Sequence, residues 1–192
     1  MGVVKNNFAY LKDKELQMGF LNIYNSIEKE LIAGVPRPEI FKKLSDKKPA
    51  DTAKFAYMLA SIPYPERRRK YLKLNAILFL LLLALPCFIV MAEWPIDFKQ
   101  STLFITIQTL VPFLFSYFVY HFHGGIYRLL AAWCLIDFIE SLLLLEFTTG
   151  FGLAKLTLLL VIIVISFFLG KKMFPNLRFL GPRRDAEGRY LL

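Results

Sequence analysis

The alternation of apolar and polar positions divides the 192 residues into three blocks. Up to about position 74, apolar residues are interspersed with charge. From Asn75 to Gly170 they run almost unbroken, and from Lys171 to Leu192 the chain is polar again. A helix crosses a membrane with ~20 mostly apolar residues. The middle block holds four such stretches: NAILFLLLLALPCFIVMAEW (Asn75–Trp94), TLFITIQTLVPFLFSYFVYH (Thr102–His121), IYRLLAAWCLIDFIESLLLLEF (about Ile126–Phe147) and LAKLTLLLVIIVISFFLG (Leu153–Gly170). The connections PIDFKQS, FHGG and TTGFG are short, so neighbouring spans are expected to run antiparallel. The expected fold class is therefore an all-α integral membrane protein. It has a small N-terminal cytoplasmic helical region (1–64), four transmembrane helices (65–170) and a cytoplasmic C-terminal tail (171–192).

The first block reads as short helices. Leu11, Met18, Leu21, Ile27 and Leu31 fall on approximately one helical face. Gly34 is a natural stop, with Pro36 and Pro38 beyond it. PEIFKKLS predicts a short helix opened by a proline. Asp51 is placed to cap DTAKFAYMLASI, in which Phe55, Met58, Leu59 and Ile62 form a stripe. Pro63 and Pro65 end that helix, and Pro65 suits the first turn of the next, which is expected to run unbroken from ERRRKYLK into the first span. So short a region is marginal as an independent fold. Its apolar faces are expected to cover themselves on the membrane, a second copy or a partner. In the tail, GP and DAEG read as turns, leaving RFL and RYLL to pair as a small hairpin or stay loose.

Composition sharpens this picture. The chain is 56% apolar, where soluble chains run at about 45–50%. The net charge of +9 flanks the apolar block: ERRRKYLK precedes the first span, Arg128 lies between the second and third, and KKMFPNLR follows the fourth. The opposite side carries only Lys99 and Lys155. Positive charge gathers on the cytoplasmic side, so both termini are expected there, in the cytoplasmic (inner) membrane. The basicity is thus a topology signal, and no nucleic-acid partner is expected. Arg67, Arg68, Arg69, Lys70 and Lys73 are expected to anchor the chain to anionic lipid headgroups. The first apolar run begins only near Leu72, so no cleavable signal peptide is expected. Cys87 and Cys134 both fall within spans and read as small apolar fillers.

The third span poses the chemical question. WCLIDFIESLLLLEF carries Asp137, Glu140 and Glu146. Asp137 and Glu140 are three residues apart and are expected near the midplane. An acid there costs ~2.5–3.5 kcal/mol on insertion scales, so that face needs a protein-lined or wet environment. Pro86 and Pro112 each free a backbone carbonyl about halfway along their spans. With Gln108, Thr109 and Ser141 they predict a polar patch at the same depth. Glu146 lies nearer the outer end, with Lys155 across the turn as its expected ion-pair partner. Asp137, Glu140 and Gln108 are candidates for a proton or cation pathway. The same groups serve equally as hydrogen-bonded glue between spans.

Other chemistry is sparse. The spans lack GxxxG and interior glycine, which transporter helices use for close packing. His121 and His123 are two apart and do not share a helical face, which makes them weak metal candidates. GxSxG, HExxH, P-loop and dinucleotide fingerprints are absent, and no cofactor is expected. Three readings follow. The first is a non-enzymatic membrane accessory, scaffold or effector subunit, engaging a protein partner or forming a homo-oligomer through its cytoplasmic face. The second is an oligomeric proton or cation channel or transport subunit using the midplane acids. The third is a lipid-modifying enzyme using His121, His123 and Arg128 at the cytoplasmic interface.

Overall fold

The structure, a computed structural model, describes residues 20–92, 102–144, 150–179 and 181–191. The chain forms two compact units, residues 1–59 and 60–192. Seven α-helices account for most of the described residues.

The first unit holds α1 (Phe20–Ile32), α2 (Arg37–Lys47) and a 3-10 turn (Pro49–Asp51). The buried stripe of α1 is Ile23, Tyr24, Ile27 and Leu31. Its spacing follows the 3.6-residue period. Ile27 and Leu31 were expected on this face, whereas Leu11, Met18 and the Leu21 side chain lie outside the described residues. Gly34 ends the helix at φ +84°, a left-handed conformation that glycine adopts without Cβ strain. The Val35 amide donates back to the Glu30 carbonyl at 3.1 Å. Pro36 then stands at the N-cap of α2. The last turn before α3 (Thr52–Ser61) is 3-10 rather than a simple Asp51 cap, and the Thr52 hydroxyl donates to the Pro49 carbonyl. The expected stripe of Phe55, Met58, Leu59 and Ile62 is buried throughout.

The second unit is a bundle of four helices: α4 (Pro65–Ala92), α5 (Thr102–Tyr120), α6 (Gly124–Leu143) and α7 (Gly150–Met173). α4 packs against α5 and α7, and α6 packs against α7. α5 and α6 touch only lightly, although the turn between them is short. α4 is continuous from the basic run into the apolar segment, as the position of Pro65 predicts. The Arg68 amide donates to the Tyr64 carbonyl at 2.9 Å, closing the first turn over a proline that has no amide to offer. Its 28 residues span about 42 Å, longer than the ~30 Å hydrocarbon core. The helix therefore has length to spare beyond its apolar part, at the end where the cations sit.

α4 over Pro65–Met91 and α7 over Gly150–Met173 are each long and apolar enough to cross a membrane. Only 33% and 39% of their apolar windows are buried inside the structure, so neither is the enclosed core helix of a soluble domain. The described apolar part of α5, Thr106–Tyr120, is shorter, and α6 is interrupted by Arg128, Asp137 and Glu140. Of the four expected spans, two are long and apolar enough among the described residues to cross a membrane.

The helices of the bundle turn apolar side chains outward. Leu80, Leu110, Leu114, Val164 and Phe167 are all more than half exposed. α6 shows the inversion best. Its buried stripe is Tyr127, Leu130, Ala131, Cys134, Asp137 and Ser141, while Leu129, Leu135, Ile136, Ile139 and Leu143 face outward. A helix with its carboxylate inside and its leucines outside is arranged for an apolar surrounding. Pro86 and Pro112 are also buried, so the carbonyls they free are not turned to the outer surface.

After α7 the tail folds on itself. β1 (Leu177–Arg178) pairs antiparallel with β2 (Gly181–Pro182), and Arg184 bridges Tyr190. The tail, expected either to pair RFL with RYLL or to stay loose, instead forms two successive hairpins among the described residues: Leu177–Arg178 on Gly181–Pro182, and Tyr190–Leu191 on Arg183–Arg184. The reason is the turn chemistry. Gly181 at φ +138° and Gly188 at φ +79° reverse the chain twice within a few residues. Asp185 holds the second reversal: its carboxylate accepts from the Glu187 amide at 2.9 Å and the Arg189 amide at 2.8 Å.

Candidate functional site

Register within the bundle decides which side chains meet. Asp137 lies about 9 Å before the end of α6, and Lys155 about 8 Å into α7. An antiparallel hairpin brings them level. Lys155 Nζ stands 3.4 Å from Asp137 Oδ1, and both side chains are almost wholly buried. The contact of Gly170 with Tyr127 near the other end fixes the same antiparallel register. The partner of Lys155 in the structure is thus Asp137. Glu146, its expected partner, lies outside the described residues. Counting equal distances from the TTGFG turn leads from Lys155 to the neighbourhood of Glu146, so the pairing with Asp137 was not legible in the sequence.

The rest of the expected polar patch is only partly gathered. Gln108 and Ser141 are buried, as is Ser166 of α7. Gln108 Oε1, Ser141 Oγ and Ser166 Oγ make no hydrogen bond among the described residues. Glu140 is turned partly outward, one turn away from the enclosed Asp137. The two cysteines are free thiols, Cys87 exposed and Cys134 buried.

At the other end of the bundle a polar knot ties three helices, and no feature of the sequence singled it out. Asn75 Nδ2 of α4 donates to the Val119 carbonyl of α5 at 2.9 Å, and the Tyr127 hydroxyl of α6 donates to Asn75 Oδ1 at 2.6 Å. Val119 lies in the last turn of α5, where carbonyls lack intrahelical partners. The Val119 carbonyl accepts the Phe122 amide of the turn at 3.0 Å and takes Asn75 as a further donor, which accounts for a buried amide at the head of a leucine run. Gly124 lets α6 begin here: a Cβ would lie 2.6 Å from the Phe174 ring and 2.8 Å from the Ser61 carbonyl.

The expected headgroup anchor divides by helical face. Arg67, Lys70 and Tyr71 share one face of α4 and line a cavity of about 480 Å³ with Arg128, Lys171, Lys172, Pro175 and Arg183. Arg67 Nη1 reaches the Lys172 carbonyl at 3.4 Å, meeting a free carbonyl at the α7 C-terminus. Arg68 turns the other way. Its guanidinium lies 4.6 Å from the centroid of the Phe122 ring, above a second cavity of about 290 Å³ lined by Asn75, Phe79 and His121. Phe122 holds φ 58°, a strained conformation for a bulky residue. Its buried ring and the arginine above it keep the α5–α6 turn in that shape. Arg69 and Lys73 are exposed.

The histidines do not assemble a site with Arg128. His121 and Arg128 line different cavities. The His121 and His123 rings are 6.3 Å apart, and each rests against an aromatic ring, Tyr117 and Phe118 respectively. Among the described residues no group of three His, Cys, Asp or Glu side chains is close enough to hold a metal ion.

In the tail, the Asp185 carboxyl is held below the usual aspartate range. The largest cause is the backbone hydrogen bond from Arg189, followed in effect by that residue's side chain and by the Glu187 amide.

Comparison with protein-family models, curated proteins and solved structures finds no match to the chain.

Proposed function

We propose that the chain is a non-enzymatic protein of the cytoplasmic membrane with four spans and both termini cytoplasmic. It acts as an accessory, scaffold or effector subunit that engages a protein partner or a second copy through its cytoplasmic face. The observation that carries this reading is the internal pairing of the span charge. An acid inside a membrane is by default a candidate for transport, but Asp137 is closed off by Lys155 at 3.4 Å in a buried contact between α6 and α7. A carboxylate so held clamps two helices. The outward-facing leucines and phenylalanines of the bundle support the membrane setting. The basic cavity and the folded tail at the α7 C-terminus support a recognition role for that end.

A second reading, an oligomeric proton or cation pathway, is favoured by one observation. Gln108 Oε1, Ser141 Oγ and Ser166 Oγ are buried polar atoms without hydrogen bonds among the described residues. Such atoms call for polar company, from a transported species or a neighbouring copy.

Flux of protons and small cations into liposomes carrying the purified protein separates the two, with Asp137→Asn/Glu140→Gln alongside. The accessory role expects no flux above protein-free liposomes in either sample, and a lower melting temperature for the variant. Wild-type flux that disappears in an inserted, folded variant would establish the pathway instead. In cells, removing residues 1–62 is expected to abolish the accessory role while the bundle still inserts.

A further inference from the structure

The cavity between α4, α6, α7 and the tail is lined by six cationic side chains: Arg67, Lys70, Arg128, Lys171, Lys172 and Arg183. Among the described residues no aspartate or glutamate lines it. The six come from separate parts of the chain, so this is not one charge run seen from the side. Helical spacing selects Arg67 and Lys70 and turns Arg68 away. The α6 N-terminus contributes Arg128, and the α7 C-terminus Lys171 and Lys172.

Arg183 is delivered by the tail. Its amide donates to the Asn176 carbonyl at 2.7 Å, and its carbonyl accepts from the Leu191 amide at 2.8 Å. The neighbouring tail cations have internal partners. Arg184 lies over Tyr190, and Arg189 pairs with Asp185 and Glu187. Among the described residues none of the six cavity cations forms an ion pair with an acid. A bland account is that these residues cap the α7 C-terminus, where the helix dipole is negative. That end is worth only about half a unit charge, and a single contact, Arg67 to the Lys172 carbonyl, already serves it. Six cations exceed what a helix end asks for.

We propose that this cavity is a binding site for a ligand carrying two or more phosphate groups. Three arginines offer planar forks for bidentate contact with phosphate oxygens, and three lysines offer point charges around them. The volume of about 480 Å³ lies within the range of small-ligand sites, roughly 300–1,000 Å³. The phosphates belong to a lipid headgroup or to a soluble polyanion. The surface next to the cavity favours a lipid: Tyr71 of its lining meets Phe168 of α7 edge-on at 5.9 Å, and Val164 and Phe167 of the same helix are exposed. This goes beyond the proposed accessory role, and beyond the headgroup anchor expected of the basic run, by naming a saturable site in place of a diffuse basic patch.

The test uses the full chain in nanodiscs of neutral phosphatidylcholine. Free pyrophosphate is titrated by calorimetry in one arm. In the other the nanodiscs contain cardiolipin, whose two phosphodiesters are tethered to acyl chains, and bound lipid is read by native mass spectrometry. One ligand per chain is expected. Arg128→Gln and Arg183→Gln should each weaken binding roughly ten- to hundred-fold, as expected for loss of a charge-assisted contact. Lys73→Gln, which removes an exposed charge of α4 outside the cavity, should leave binding unchanged. Arg183 lies in the tail, so its variant reports binding even where Arg128→Gln unsettles the bundle.

Binding in the cardiolipin arm alone identifies the ligand as a lipid. Binding of pyrophosphate alone identifies a soluble polyanion, and binding in both marks the phosphate groups as the shared determinant. Absence of binding in both arms overturns the proposal, as does an equal loss in Lys73→Gln. Failure of the accessory role in the flux measurement leaves these binding results standing, and the reverse also holds, so the two readings fail separately.

Discussion

Lys155 and Asp137 are nearly inaccessible, and each loses its hydration on burial. Their mutual attraction offsets that loss only while both are present. Removing one partner of a buried pair costs about 3–5 kcal/mol, whereas replacing both by apolar groups of similar size is often neutral. Lys155→Met is therefore expected to lower the melting temperature of the detergent-solubilised protein, and Asp137→Leu/Lys155→Met to recover most of the loss. A double variant no more stable than the single one would show that the charges serve something other than each other. Gly124 provides a second test at this scale. A methyl group there meets the Phe174 ring and the Ser61 carbonyl well inside contact distance. Overpacking of this kind costs about 1–3 kcal/mol, so Gly124→Ala should lower the thermal midpoint, whereas alanine at Gly150, where none of the described residues comes near, should not.

Single elements carry more than one role according to which face is considered. The basic run at the start of α4 reads in the sequence as one anchor. The helix separates it into a cavity face with Arg67 and Lys70, a packing face with Arg68 on Phe122, and the exposed Arg69 and Lys73. The tail behaves as a small folded element because Asp185 collects the Glu187 and Arg189 amides. Those bonds favour the charged carboxylate and hold its pKa below the ordinary aspartate value. A lowered folded-state value means that the contribution is complete above the unfolded value and fades as pH falls through the folded one. The protection of the Glu187 and Arg189 amides, taken relative to the intrinsic exchange rate at each pH, should therefore hold from neutrality down to about pH 4 and be lost only below it. Loss of that protection near neutral pH would mean that another group holds the turn.

For the whole molecule, the bundle is assembled from helices whose ends could be read in advance to within a few residues. Pro65 at the start of α4, the FHGG turn before α6 and the basic end of α7 all fall where the pattern put them. The buried and exposed faces of α6 were harder to read, because its sequence is apolar nearly all round and periodicity then carries little signal. The same ambiguity hid the Asn75–Tyr127–Val119 knot. It joins residues 44 and 52 positions apart, and its acceptor is a backbone carbonyl, which leaves no mark in the sequence.

What the sequence determined by itself was local: the apolar lengths, the helix stops at Gly34 and before Pro65, the excess of cations at one end, and the misfit of acids inside an apolar helix. These follow from hydropathy, backbone propensity and the cost of burying charge, each a property of one segment. Only the tertiary structure decided which side chains meet. The register of α6 against α7 gave Asp137 to Lys155, and the winding of α4 sent Arg67 and Lys70 one way and Arg68 the other. Two hairpins in the tail set Arg183 beside Lys171 and Lys172. Such meetings depend on the rotation and offset of whole helices, which many weak packing contacts set together and which no single stretch of sequence encodes.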